Sequence, residues 1–135
     1  MTITIKKGYK QLIAEAEALI ETMTIEESIA AHAADTVLVL DIRDVRERKR
    51  TGFIPNSVHM PRGMLEFWAD PESPYYRDEF ATDKKLLLHC ASAWRSALAA
   101  RALFEMGYEN VAHVGGGFTA WLAADAPVEG APNSD

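Results

Sequence analysis

The sequence predicts an α/β fold in which a central, mostly parallel sheet of about five strands carries helices on both faces. Short apolar runs, such as residues 37–42 and 86–89, are typical of strands that are buried on both faces of a parallel sheet. Between these runs, apolar residues recur every three or four positions, which indicates amphipathic helices. Strands that alternate with helices imply βαβ units with right-handed crossovers.

Length and composition fit one globular domain and exclude several classes of protein. The chain has 135 residues, of which 48% are apolar and 25% charged. A net charge of −6 opposes a nucleic-acid partner, which requires a basic surface. No apolar run reaches the length of about 18 residues that suits a membrane span, and the first residues lack the apolar block of a signal peptide. We therefore expect neither a nucleic-acid nor a membrane partner.

Cysteine content indicates the compartment. The single cysteine, Cys90, excludes an intrachain disulfide and a cysteine zinc cluster. The four histidines are scattered without the spacing of metal ligands, so we expect no metal site. A reducing, cytoplasmic setting is the resulting expectation.

The N-terminal part is predicted to be helical. Residues 9–22 carry apolar side chains at helical spacing. Thr24 and Glu27 have the spacing of a capping box, which predicts the start of a second helix. We expect residues 1–23 to form a helical extension that packs on a domain of residues 24–128.

The middle of the chain is predicted to contain two strands and a short helix. Residues 37–42 form the first strand, and residues 57–60 form another. Between them, Asp44 and Glu47 have capping-box spacing and predict a short helix through Arg50.

The C-terminal part repeats the strand–helix alternation. Strands are predicted at residues 86–89 and 111–114, with a helix over residues 96–106 between them. Gly107 occupies the position of a C-cap glycine. The glycines of residues 115–117 then lead into a last helix.

Two segments lack a regular pattern. Residues 62–82 cluster aromatic side chains between prolines, which is compatible with an anchored surface loop and with a functional lid. Residues 129–135 are polar and contain glycine and proline, so we expect a flexible tail.

The strongest functional pattern follows the strand at residues 86–89. Cys90 leaves this strand about five residues before a helix begins, so the intervening N–H groups can converge on one point. The positive helix end and the guanidinium of Arg95 then favour a nucleophilic thiolate in a loop suited to anions. The predicted loop residues are Ala91, Ser92, Ala93, Trp94, Arg95 and Ser96. The alternative interpretation is that Cys90 is a small buried core residue.

His89 precedes the cysteine directly. Adjacent strand residues point to opposite faces of a sheet. We therefore expect His89 to be a core or supporting residue and not a catalytic base.

Three blocks of sequence together resemble the rhodanese family of sulfurtransferases, over roughly residues 24–128. The blocks are Leu40–Glu47 with Thr51–Ser57, Cys90–Ser96, and Val114–Trp121. The resemblance implies a rhodanese-like fold.

The resemblance also implies a two-step sulfur transfer. Cys90 would take the outer sulfur of thiosulfate or another small anionic donor, and the resulting persulfide would pass it to a thiol or protein acceptor. No metal or organic cofactor is implied. Arg95 would orient the donor, while Asp41, Arg43 and Glu47 would form an ion-pair network behind the site.

Departures from the family pattern keep two alternatives open. Ala93 stands where many active members have glycine, which would be strained if the loop requires a positive φ. Trp94 is bulky and would either wall the pocket mouth or pack on apolar surface. A non-catalytic binding module is therefore one alternative. The other is a cysteine phosphatase, although four residues separate Cys90 from Arg95 here and five separate the corresponding pair in those enzymes.

Overall fold

A computed structural model describes residues 1–130 of the chain. The helices are α1 (Tyr9–Leu19), α2 (Ile25–Ala33), α3 (Val45–Thr51), α4 (Leu65–Ala69), α5 (Trp94–Met106) and α6 (Gly117–Ala123). The strands are β1 (Glu21–Met23), β2 (Val37–Asp41), β3 (Val58–His59), β4 (Lys85–His89) and β5 (Val111–Val114). Short 3₁₀ turns cover Arg62–Met64 and Asp78–Phe80.

The five strands form one sheet in the order β1-β5-β4-β2-β3, and every neighbouring pair is parallel. Alternate side chains of the central strands enter two separate apolar clusters, one on each face of the sheet. Helices α1, α4 and α5 cover one face, while α2 and α6 cover the other. The predicted α/β architecture with helices on both faces is confirmed.

Local signals at the helix ends are confirmed as well. Thr24 and Asp44 both form complete capping boxes, each with a glutamate three residues later. Gly107 ends α5 with a φ of 113°, a conformation that glycine adopts without strain.

The prediction of a helix through Thr22 is wrong at its end. α1 stops at Leu19, and residues 21–23 form the edge strand β1, which pairs with β5. The pairing buries Met23 and places Ile20 in the core. α1 lies against α5 with Ala16 fully buried, so the sheet already begins before residue 24.

The aromatic segment is more ordered than its composition indicates. Residues 62–82 contain α4, and Leu65, Ala69 and Phe80 are buried in the core. At the other segment, Glu129 forms an antiparallel bridge with Phe53. Residues 131–135 of the predicted tail lie outside the described residues.

Candidate active site

Cys90 lies at the carboxyl edge of the sheet, immediately after the central strand β4. Ligands of open parallel sheets bind at this edge. The residue is 1% exposed and its side chain faces the α1–α5 side of the sheet. The next three residues turn the chain into α5.

Two backbone N–H groups of this turn donate to the cysteine sulfur. Ala93 N lies 3.2 Å and Ser96 N lies 3.3 Å from Sγ. They belong to the N-terminal end of α5, whose unpaired amides carry partial positive charge. The predicted convergence of amides on the sulfur therefore occurs, with these two residues supplying the hydrogen bonds. Such donors stabilise negative charge on sulfur.

The backbone of Ala93 is strained. Its φ is 99° and its ψ is −3°, in the left-handed region that L-residues with a Cβ rarely occupy. The loop thus requires a positive φ at the position where the sequence departs from glycine. In this loop conformation the Ala93 N–H donates to Sγ.

Other residues of the loop have distinct surroundings. Ser92 is exposed at the loop tip. The carbonyl of Ala91 accepts a hydrogen bond of 3.0 Å from Thr119 N of α6. Trp94 packs on Tyr9 of α1, with ring centroids 5.0 Å apart, and remains 56% exposed. Trp94 therefore packs on apolar surface, and it also lines an apolar hollow beside Arg95.

Arg95 projects from the first turn of α5 and contacts Glu47 of α3. Its Nη1 and Nη2 donate to the two carboxylate oxygens at 2.7 and 3.0 Å. The hydrogen bond from Arg95 is the largest influence on Glu47 and lowers the pKa of that carboxyl below its ordinary value. Because the Arg95 side chain is 43% exposed, its guanidinium can also meet an anion from solvent.

Asp41 and Arg43 form the buried part of the predicted network. Arg43 donates from Nε and Nη2 to both Asp41 oxygens, and its remaining donors reach Thr51 and Gly52. Burial opposes ionisation of Asp41, but the hydrogen bonds of Arg43 outweigh it and lower the pKa of Asp41 to about 2. The pair is therefore ionised and fully hydrogen-bonded at neutral pH.

The placement of Glu47 in this network is wrong. As the third residue of α3, Glu47 also caps Asp44 N, which turns its carboxylate towards the start of α5 and Arg95. Arg48, one residue further round the helix, bonds Asp41 instead, at 2.9 Å. The sequence pattern contained Arg48, but one helical step decides which side chain faces the core.

His89 faces away from Cys90, as predicted. Its ring stacks on Phe118, and within residues 1–130 its Nε2 has no hydrogen-bond partner, although Asp41 Oδ2 lies 3.7 Å away. Burial lowers the pKa of His89 to about 4, so the ring is neutral at neutral pH. This position does not suit a base for the thiol.

The contact between His113 and Ser96 was not predicted from the sequence. Ser96 Oγ lies 2.9 Å from its Nδ1. Both side chains are fully buried. Adjacent residues of β5 point to opposite faces of the sheet, but the partner of His113 lies in a different element and has no local signal.

The glycine-containing turn after β5 packs against the loop that follows β4. Phe118 N and Thr119 N donate to the carbonyls of Cys90 and Ala91. A Cβ on Gly117 would lie 2.6 Å from Ala91 O and 2.8 Å from Cys90 O. Glycine at this position therefore permits the close approach of the two turns.

Two further properties of residues 1–130 bear on function. None of the helices in this range has the length and apolar character needed to cross a membrane. Across the same residues, His, Cys, Asp and Glu side chains form no group of three or more that could hold a metal ion.

Comparison with known proteins shows the family of the chain. The family model of the Rhodanese-like domain matches residues 24–124. A sulfurtransferase of Allochromatium vinosum is 31% identical over 104 residues, which are 76% of this chain and 89% of that protein. The thiosulfate sulfurtransferase GlpE of Glaesserella parasuis is 33% identical over 95 residues, which are 70% of this chain and 79% of that protein.

One solved structure resembles nearly the whole chain. It is a protein of unknown function from Rhodopseudomonas palustris, named as a possible tyrosine phosphatase. The two are 49% identical with a TM-score of 0.92, and the match covers 96% of this chain and 99% of the other.

A parallel five-stranded sheet with a cysteine loop at its carboxyl edge defines a class of α/β proteins. Within that class, the chain belongs to the rhodanese-like domain family, which has relatives named sulfurtransferases.

Proposed function

We propose that the protein is a sulfurtransferase that carries sulfur as a persulfide on Cys90. The observation that carries the proposal is the pair of N–H groups of Ala93 and Ser96 on the cysteine sulfur, with Arg95 five residues after Cys90. A small anionic donor such as thiosulfate suits this arrangement. The acceptor is a thiol, on a small molecule or a protein, in a reducing compartment such as the cytoplasm.

The first step loads the cysteine. The thiolate of Cys90 attacks the outer sulfur of thiosulfate, the S–S bond of the donor breaks, and sulfite leaves with the bonding electron pair. A Cys90 persulfide anion results, so total charge is conserved. The amides of the loop and Arg95 stabilise the anionic sulfur.

The second step releases the sulfur. A nucleophile such as cyanide or a thiolate attacks the outer sulfur of the persulfide, and the Cys90 thiolate leaves. Thiocyanate or an acceptor persulfide forms. Neither step consumes an external oxidant or reductant.

Parallel assays of two reactions test the proposal. The protein is incubated with thiosulfate plus cyanide, and separately with an aryl phosphate ester, with Cys90→Ser as the control. We expect thiocyanate from the first reaction, loss of that product in the variant and no hydrolysis of the ester. Hydrolysis of the ester alone would assign the protein to the phosphatases.

A further inference from the structure

His113 connects the N-terminal extension with the cysteine loop. Its Nδ1 contacts Ser96 Oγ at 2.9 Å, and its Nε2 contacts Thr22 Oγ1 at 3.0 Å and Glu17 Oε2 at 3.2 Å. The imidazole is fully buried, whereas the Glu17 side chain is 40% exposed on α1. A continuous series of polar contacts therefore runs from the surface of α1 to the start of α5.

The hydrogen bonds in this series of contacts have a defined direction. A carboxylate accepts hydrogen bonds and cannot donate them, so Glu17 favours the proton on Nε2. A threonine hydroxyl can do either, so Thr22 alone does not select a tautomer. Burial lowers the pKa of His113, and the contact with Glu17 opposes this shift. The neutral ring then presents the lone pair of Nδ1 to Ser96.

Ser96 transmits this orientation to the cysteine. With the proton of His113 on Nε2, the Ser96 hydroxyl donates to Nδ1 at 2.9 Å, which is the shorter of its two contacts; the other is Ala93 O at 3.3 Å. Ser96 is thus held by its side chain from β5 while its own N–H donates to Cys90 Sγ. Displacing Ser96 would misalign that N–H.

We infer that His113, with its tautomer selected by Glu17, is a positioning residue that holds Ser96 N–H on the sulfur of Cys90. The inference rests on the proposed role of Cys90 as the sulfur carrier. It gives the N-terminal extension a part in the site, because Glu17 and Thr22 belong to α1 and β1.

The test measures how readily Cys90 ionises, independently of any sulfur transfer. The rate of alkylation by iodoacetamide is recorded against pH for the full chain, together with thermal unfolding. The variants are Glu17→Ala and the double variant Glu17→Ala/Thr22→Val. Glu15→Ala is the control on the same helix, because it removes ion pairs with Lys7 and Arg101 but no contact with His113. A further variant, His113→Phe, removes the contact with Ser96 directly.

We expect the alkylation midpoint of the double variant to rise by about one pH unit, since a weakened hydrogen bond stabilises the thiolate less. Glu17→Ala should shift it in the same direction, and Glu15→Ala should leave it in place. A folded double variant with an unchanged midpoint would overturn the inference, even if its melting temperature fell. If His113→Phe does not fold, the variants at residues 17 and 22 decide the question.

The proposed function can fail separately. Should thiosulfate not load sulfur on the wild-type protein while the midpoint still shifts, the sulfurtransferase proposal is lost and the positioning role of His113 is retained.

Discussion

The carboxylate of Glu47 binds the guanidinium of Arg95 through two hydrogen bonds, of 2.7 and 3.0 Å. The pair joins α3, which follows β2, to the first turn of α5, which follows Cys90. Both residues lie at the carboxyl edge of the sheet. Arg95 is therefore held in place before any donor arrives, and its remaining N–H groups are available to an anion.

Replacing Arg95 by lysine should weaken donor binding more than stability. Lysine lacks the planar pair of donors, so it cannot hold Glu47 and an anion together. We expect the KM for thiosulfate to rise about tenfold. The free energy of unfolding should change by less than about 0.5 kcal/mol, because the Arg95–Glu47 pair is partly exposed. Arg101→Lys, on the same helix but paired with Glu105, is the control. An unchanged KM would contradict the assigned role of Arg95.

The strained loop gives a second prediction. Ala93→Gly should stabilise the fold by about 1 kcal/mol, because glycine adopts a φ of 99° without the Cβ clash. Ala91→Gly is the matched control in the same loop. Its φ is not in the positive range, so glycine there should destabilise by about 0.5–1 kcal/mol. Urea unfolding measures both changes, and equal effects in the two variants would refute the assignment of strain to Ala93.

Gly117 provides a third prediction, on the approach of α6 to the loop. Gly117→Ala should destabilise the protein by about 3 kcal/mol and abolish sulfur transfer, because the new Cβ would overlap the carbonyls of Ala91 and Cys90. At Gly63 an added Cβ meets no atom within 4 Å, so Gly63→Ala is the control and should be close to neutral. A fully active Gly117→Ala variant would show that the loop tolerates displacement.

The buried imidazole of His89 predicts part of the acid sensitivity. Burial lowers its pKa from 6.5 to about 4. The unfolded chain therefore binds a proton before the folded chain does, and stability falls as the pH drops from about 6.5 to about 4. This loss is on the order of 3 kcal/mol and should be missing in His89→Phe. Urea unfolding across this pH range checks it; equal losses in both proteins would exclude His89 as the cause.

Local sequence signals predicted much of this molecule. The central strands follow from continuous apolar runs, because a parallel strand buries both of its faces. The capping boxes at Thr24 and Asp44 predicted two helix starts. The placement of Cys90 between a strand and a helix predicted that backbone N–H groups point at its sulfur. These features depend on residues that are neighbours in the chain.

Features that depend on distant residues were not predicted. Residues 21–23 become a strand only by pairing with β5, about 90 positions away, so their local pattern resembled the end of a helix. The partner of Glu47 lies 48 positions away in α5, and that of His113 lies 17 positions away in the same helix. Tertiary contacts decide such pairings.

Mass spectrometry of the intact protein after treatment with thiosulfate tests the central proposal most directly. We predict a gain of one sulfur atom, about 32 Da, that is located on Cys90, removed by cyanide and missing in Cys90→Ser. A wild-type protein whose mass stays unchanged after this treatment, and whose cysteine resists alkylation at neutral pH, would contradict the proposal and favour a non-catalytic binding module.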